Sequence, residues 1–188
     1  MRIIAGEYKG RQLKPVPGMK TRPTSDKIKE AVFHRMGPFF EKGQCLDLFA
    51  GSGALGLEAL SRGMEKTIFV DSSIQAVKTI RHHVEMLKIA EKCEVYRNDA
   101  FKAVDVLSKR EARFSLILLD PPYDETLYQS LIDRLLEAEL LQQDGLLYIE
   151  HRPNAAFTVA GNKMEVIFKR EYTKTTSVTI LKKSKQTK

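Results

Sequence analysis

A doubly wound α/β fold is the class this sequence predicts, and three observations carry the prediction. From Cys45 onward, short apolar runs alternate with amphipathic stretches at helical spacing, as repeated βα units around a largely parallel sheet require. A glycine-rich turn, Gly51-Ser52-Gly53-Ala54-Leu55-Gly56, falls between the first such run and the helix that follows it. Acidic residues then recur at the carboxyl ends of successive strands, the edge where open α/β sheets place their ligands.

The elements follow in order. Residues 1–20 read as a small N-terminal β-hairpin extension, with strands around Arg2-Ile3-Ile4-Ala5 and Arg11-Gln12-Leu13-Lys14 and a turn from Gly6 to Gly10. A core at 21–183 and a basic tail at 184–188 complete a single domain. Arg22-Pro23-Thr24-Ser25-Asp26 offers several caps for a helix carrying Ile28, Ala31, Val32 and Met36. Strand Cys45–Phe49 enters the glycine loop, and Leu55, Leu57, Ala59 and Leu60 mark the next helix. Strand Thr67–Val70 ends at Asp71, where Ser72 or Ser73 caps a helix striped with Val77, Ile80, Val84 and Leu87. A short strand Glu94–Tyr96 leads to Asn98-Asp99 and a helix bearing Phe101, Val104 and Leu107. Strand Phe114–Leu119 stops on Asp120-Pro121-Pro122-Tyr123, and a leucine-rich helix runs from there to about Leu141. A turn at Asp144-Gly145, a strand Leu146–Glu150, and a closing hairpin of Met164–Lys169 with Ser177–Leu181 finish the chain.

Composition narrows the setting. Hydrophobic content of 43% over 188 residues is ordinary for a globule with a sizeable core. No apolar run nears the ~20 residues that span a bilayer, and the N-terminus lacks a leader's apolar segment, so a cytoplasmic protein is expected. The net charge of +7 points to a polyanionic partner. The basic residues crowd the N-terminal end, where Arg2, Lys9, Arg11, Lys14 and Arg22, with Thr24, are candidates to grip phosphates. Cys45 and Cys93 form no CxxC, and His34, His82, His83 and His151 have no ligand spacing with them, so no metal is expected. His82 and His83 read as surface residues, and the Leu131, Leu135, Leu136 stripe as core.

The glycine loop alone fits NAD, another adenosine cofactor, or only a tight strand-to-helix turn. Asp71, at the end of the next strand, is placed to accept ribose hydroxyls. Asp47 shifts the choice towards S-adenosylmethionine. A buried acid four residues before Gly51 suits an ammonium and would repel a pyrophosphate; the alternative is that it only bonds loop N–H groups. Asp99 can take an adenine amino group or merely cap a helix. The candidate cofactor residues are Asp47, Phe49, Ala50, Gly51, Ser52, Gly53, Asp71, Ser72, Asp99 and Ala100.

These motifs resemble a known family. Asp47-Leu-Phe-Ala-Gly51-Ser-Gly53, Asp71, Asp99 and Asp120-Pro-Pro-Tyr123 are similar to the successive motifs of Rossmann-like methyltransferases that use S-adenosylmethionine on exocyclic amino groups of nucleic acid bases. Arg2-Ile-Ile-Ala-Gly6, Gly10-Arg11, Arg22-Pro-Thr24 and the block Leu46–Leu60 resemble, more narrowly, the RsmD family of guanine-N2 methyltransferases acting on bacterial small-subunit (16S) ribosomal RNA. The resemblance runs from residue 2 to about 182, with one departure: Thr173 follows Tyr172 where relatives often carry glycine, which bears on the hairpin turn. It implies ribosomal RNA as partner, within a small-subunit particle, and a monomeric enzyme.

The chemistry expected of the strand tip follows from the amino group. An exocyclic nitrogen is a poor nucleophile because its lone pair is delocalised into the ring. Asp120 and the Pro121 carbonyl would accept its two N–H bonds and aim the lone pair, Pro122 would stiffen the tip, and Tyr123 would stack on the base. The rival readings are an amino-methyltransferase of another RNA or DNA base, an RNA-binding assembly factor with a vestigial pocket, and a dehydrogenase.

Overall fold

The computed structural model describes residues 1–18, 25–121, 125–155, 157–158 and 163–184. Arg22, Thr24, Pro122 and Tyr123 therefore lie outside the described residues. The chain divides into two compact units, Met1–Ala100 and Phe101–Lys188.

The first unit contains α1 (Asp26–Met36), β1 (Gln44–Leu48), α2 (Ala54–Ser61), β2 (Lys66–Asp71), α3 (Ile74–Leu87), a 3-10 turn (Ala90–Lys92) and β3 (Cys93–Arg97). Its strands lie in the order β3-β2-β1 with both pairs parallel. Parallel strands covered on both faces need unbroken apolar runs, and Cys45, Leu46, Leu48, Ile68, Phe69 and Val70 are all buried. Ser25 caps α1 by accepting the Ile28 N–H, and Ser73 rather than Ser72 caps α3 by accepting the Ala76 N–H.

The N-terminal hairpin keeps its outline but not its ladder. Arg2 and Gln12 form one isolated antiparallel bridge, and the turn closes through Ile3 N–H to Arg11 C=O and Leu13 N–H to Met1 C=O, both at 3.0 Å. Beyond this bridge the first strand turns its N–H groups to α2. The Ile4 and Ala5 N–H groups donate to the Glu58 carboxylate at 2.8 and 3.1 Å, while Glu7 and Tyr8 donate to the Ser61 carbonyl and hydroxyl. Glu58 is wholly buried, and Arg62 Nε at 2.7 Å and Lys29 Nζ at 3.4 Å complete its shell. Burial lowers the Lys29 pKa, and the Glu58 charge opposes that shift.

The second unit contains α4 (Ala100–Lys109), which begins at the boundary, then β4 (Phe114–Leu119), α5 (Glu125–Glu137), β5 (Leu141–His151), β6 (Met164–Thr173) and β7 (Thr176–Lys183). The order is β4-β5-β7-β6: β4 and β5 are parallel, and β7 runs antiparallel to both neighbours. Strand β4 has the limits its sequence predicts. The leucine-rich helix does not reach Leu141; it stops at Glu137, Glu139 turns left-handed (φ 51°), and Leu141 opens β5. Asp144-Gly145 is a bulge inside β5 rather than a turn before it. Asp144 has φ 60°, and the register slips so that Phe114 faces Leu141 while Leu116 faces Leu146. The closing hairpin forms without the glycine: Thr173 pairs with Thr176, and the Thr173 hydroxyl accepts the Thr175 N–H at 3.1 Å.

Glu58 generates a stability prediction. Glu58→Ala leaves two cations and two backbone N–H groups without their shared acceptor, and breaking such a buried pair costs about 3–5 kcal/mol. Urea unfolding monitored by circular dichroism should show that loss. A loss below about 1 kcal/mol would mean that water replaces the carboxylate at little cost.

Candidate active site

The glycine loop is shaped by where its backbone turns left-handed. Phe49 follows β1 with φ 64°, Gly51 has φ 53°, and Gly53 has φ 78° as the N-cap of α2. A bulky residue at positive φ is strained by roughly 1–2 kcal/mol. Phe49 accepts that strain where the chain leaves the sheet. The Ala50 N–H donates to the Val70 carbonyl at 3.0 Å and the Gly53 N–H to the Ala50 carbonyl at 2.6 Å, so the loop is closed on itself and on β2.

The three glycines divide by what a side chain would meet. A Cβ on Gly51 would enter open space. On Gly53 it would crowd Ile80 and Phe69 at 3.2 and 3.4 Å, and on Gly56 it would strike Phe69 at 2.4 Å and Asp47 Oδ2 at 2.9 Å. Gly51 is thus the glycine that a ligand could approach, while Gly56 lets α2 pack close to the sheet and Gly53 leaves room for Ile80 of α3 and Phe69 of β2.

One acid holds this loop and a second holds the helix that follows it. Asp71 accepts the Gly51 N–H on Oδ2 and the Ser73 N–H on Oδ1, both at 2.8 Å. A carboxylate has about four lone-pair sites, so Asp71 braces the loop and retains spare acceptor capacity. Asp47 is 2% exposed, and its Oδ2 accepts the Gly56 N–H at 2.9 Å. Burial pushes its pKa up to about 7 from an ordinary 3.8; the Gly56 bond opposes the shift, and the Asp71 charge adds to it. Asp47 thus bonds a backbone N–H of α2 rather than of the loop, and has a proton affinity that a nearby ammonium would lower.

The remaining candidates are distributed as follows. Phe49, Gly51 and Ser52 are partly exposed at the loop, Ala50 and Gly53 are buried, and Ser72 is exposed next to Asp71. Asp99 is exposed before α4, its N–H donating to Asn98 Oδ1 at 2.9 Å, and Ala100 is the buried first residue of that helix. In the second unit, Asp120 is half-buried at the end of β4 and Pro121 is buried. The Asp120 charge also helps to raise the pKa of Tyr148, after burial and the neighbouring Glu150. Arg2, Lys9, Arg11 and Lys14 are exposed on the hairpin, and Arg2 also pairs with Asp26 at 3.3 Å. Among the described residues no group of three or more His, Cys, Asp or Glu could hold a metal ion, and no helix is long and apolar enough to cross a membrane.

His83 corrects the sequence reading. It is fully buried, not a surface residue, and bridges Ser52 of the loop and Lys14 of the hairpin, whereas His82 is exposed. The signal was available, because position 83 follows Ile80 by three residues on the apolar stripe of α3.

Comparison with solved structures defines the class. A putative methyltransferase, yhhF, from Escherichia coli superposes with a TM-score of 0.84 at 25% identity, covering 98% of both chains. A putative methyltransferase solved with S-adenosylhomocysteine, at 15% identity and a TM-score of 0.68, covers 82% of this chain and 49% of its own and shares the fold. The fold is thus the Rossmann-like α/β fold of S-adenosylmethionine-dependent methyltransferases. In sequence, the chain is 48% identical over 151 residues to the putative rRNA methyltransferase YlbH of Bacillus subtilis, covering 80% of this chain and 82% of that one. It is 35% identical to the Haemophilus influenzae protein named ribosomal RNA small subunit methyltransferase D, covering 80% and 78%. The Escherichia coli protein of the same name is 34% identical, covering 86% and 80%. The family described as Conserved hypothetical protein 95 matches residues 1–181, and the chain belongs to it; this is the RsmD family that its motifs resemble.

The raised Asp47 pKa has a definite sign. The folded chain holds this proton more tightly than the unfolded chain, so the group's contribution to stability is full below about pH 4 and is lost as pH rises through about 7. Asp47→Asn removes the titration. The variant's melting temperature, without cofactor, should gain on wild type between pH 5 and pH 8, by ~2–4 °C per kcal/mol. A difference independent of pH would show that Asp47 does not ionise in this window.

Proposed function

We propose that this chain transfers the methyl group of S-adenosylmethionine to the exocyclic N2 amino group of a guanine in small-subunit ribosomal RNA, acting as a cytoplasmic monomer on the assembling particle. One observation carries the reading: a left-handed loop, open at Gly51 and braced by an Asp71 that keeps spare lone pairs. It is supported by family relatives named as ribosomal RNA small subunit methyltransferases.

The residues fit the cofactor. Asp71 would take the ribose hydroxyls, with Ser72 beside it, and the open face of Gly51 would admit the methionine moiety. Asp47 behind the loop would compensate the ammonium, Asp99 would accept the adenine amino group, and Ala100 would line the base. When bound, the cofactor supplies a methyl group made electrophilic by the sulfonium. The work left to the protein is orientation and electrostatics. Asp120 and the Pro121 carbonyl would each accept one amino N–H bond, so that the nitrogen lone pair points at the methyl carbon. With the methyl group transferred to nitrogen and a thioether left on the cofactor, the surplus amine proton would pass to Asp120 or water. Pro122 and Tyr123 would stiffen the tip and stack on the guanine. The exposed cations Arg2, Lys9, Arg11 and Lys14, with Arg22 and Thr24, would hold phosphates.

The cofactor is tested by thermal shift. S-adenosylmethionine or S-adenosylhomocysteine should raise the melting temperature, and NAD should not. Stabilisation by NAD alone would end the methyltransferase reading.

The transfer step is tested at the strand tip. Asp120→Asn should keep the fold and cofactor affinity while slowing single-turnover methylation of small-subunit RNA by about a hundredfold or more. Nucleoside mass spectrometry should identify the product as N2-methylguanosine. An undiminished rate in the Asn variant would remove Asp120 from the chemistry.

A further inference from the structure

We infer that His83 is a positioning residue for the cofactor loop: its Nδ1–H fixes the Ser52 carbonyl, while its Nε2 is fixed by the Lys14 N–H of the N-terminal hairpin. The inference rests on reading the Phe49–Gly53 loop as the cofactor site.

Geometry leaves the imidazole one arrangement. Nε2 lies 2.9 Å from the Lys14 backbone nitrogen, and an amide N–H can only donate, so Nε2 must be an unprotonated acceptor. In neutral imidazole the proton then sits on Nδ1, which lies 3.0 Å from the Ser52 oxygen, a group that can only accept. Both partners are backbone groups, so neither can change role. The ring has no exposed surface, which excludes water as a ready substitute for either bond. The state this requires is neutral, and burial, with the His82 and Lys14 charges, lowers the His83 pKa against the opposing effect of the Ser52 bond.

The bond holds the outer end of a peptide plane whose other end, the Gly53 N–H, donates to the Ala50 carbonyl inside the loop. Ser52 lies between two positive-φ glycines, so its peptide planes could rotate with little steric resistance. Asp71 pins the N–H side at Gly51, and His83 pins the carbonyl side at Ser52. The second partner is equally specific: Lys14 follows Leu13, whose N–H returns to the Met1 carbonyl, and Met1 Sδ lies 3.5 Å from the Ser52 hydroxyl. The hairpin is thus the fixed wall against which His83 holds the loop.

Two substitutions separate positioning from packing. His83→Asn can place an amide N–H near the Nδ1 position but falls short of Lys14. His83→Gln reaches the Nε2 position and leaves Ser52 without its donor. Affinity for S-adenosylhomocysteine is measured by titration calorimetry, alongside the melting temperature of each ligand-free protein. We expect the Gln variant to bind about tenfold more weakly, as loss of a buried hydrogen bond implies. The Asn variant should recover most of that affinity, although both variants melt at similar temperatures. Equal affinity in all three proteins, or losses that follow the melting temperature alone, would overturn the inference and leave the cofactor reading standing. A wild-type protein that does not bind S-adenosylhomocysteine would overturn both.

Discussion

The first unit depends on one buried carboxylate. Glu58 sits in the helix that the glycine loop opens, and it accepts from two hairpin N–H groups, from Lys29 of α1 and from Arg62 at the C-cap of α2. A lone ionised group in that position would cost several kcal/mol, and only its full set of partners makes it tolerable. The requirement works in both directions. The hairpin needs α2 as a partner for its inner N–H groups, and the eight residues of α2 need the hairpin to cover their outer side. The exposed cations of the hairpin are therefore held at fixed positions relative to the loop, rather than carried on a loose arm.

Electrostatics around the loop follow a simple division. Asp71 is half-buried and has two backbone donors, which is enough to hold it and not enough to saturate it. Asp47 is buried, accepts the Gly56 N–H and has a raised proton affinity. A cation arriving beside it would favour its ionised form, and binding near neutral pH would then release a proton. A phosphate arriving at the same place would meet two acids, and this is the physical basis for preferring an ammonium-bearing cofactor over a dinucleotide.

Much of this architecture could be read from the residues because it is written in local signals. Phe114–Leu119 is an apolar run stopped by an acid and two prolines, and β4 has those limits. The glycine block, Asp71 and the Ser73 cap are each a short-range pattern with a backbone consequence. Long-range competition was harder to see. Leu140 and Leu141 continue the helical spacing of α5, yet Leu141 is claimed by pairing with Phe114 across the sheet. The Ile4 and Ala5 N–H groups found Glu58, a partner more than fifty residues away. His83 lay on an apolar stripe, but a polar residue beside an exposed twin reads as surface until its two backbone partners are known.

Phe49 has a consequence for binding rather than for folding. A phenylalanine held left-handed between a strand and a glycine loop lowers stability, and glycine there would relieve the steric part of that loss. It also leaves the chain fewer alternatives than glycine would, at the point where the loop departs from the sheet. The loop thus takes its shape during folding, so little conformational entropy remains to be lost when a ligand arrives. A stiff, slightly strained turn of this kind favours affinity through preorganisation, with no contact between the phenyl ring and the ligand required.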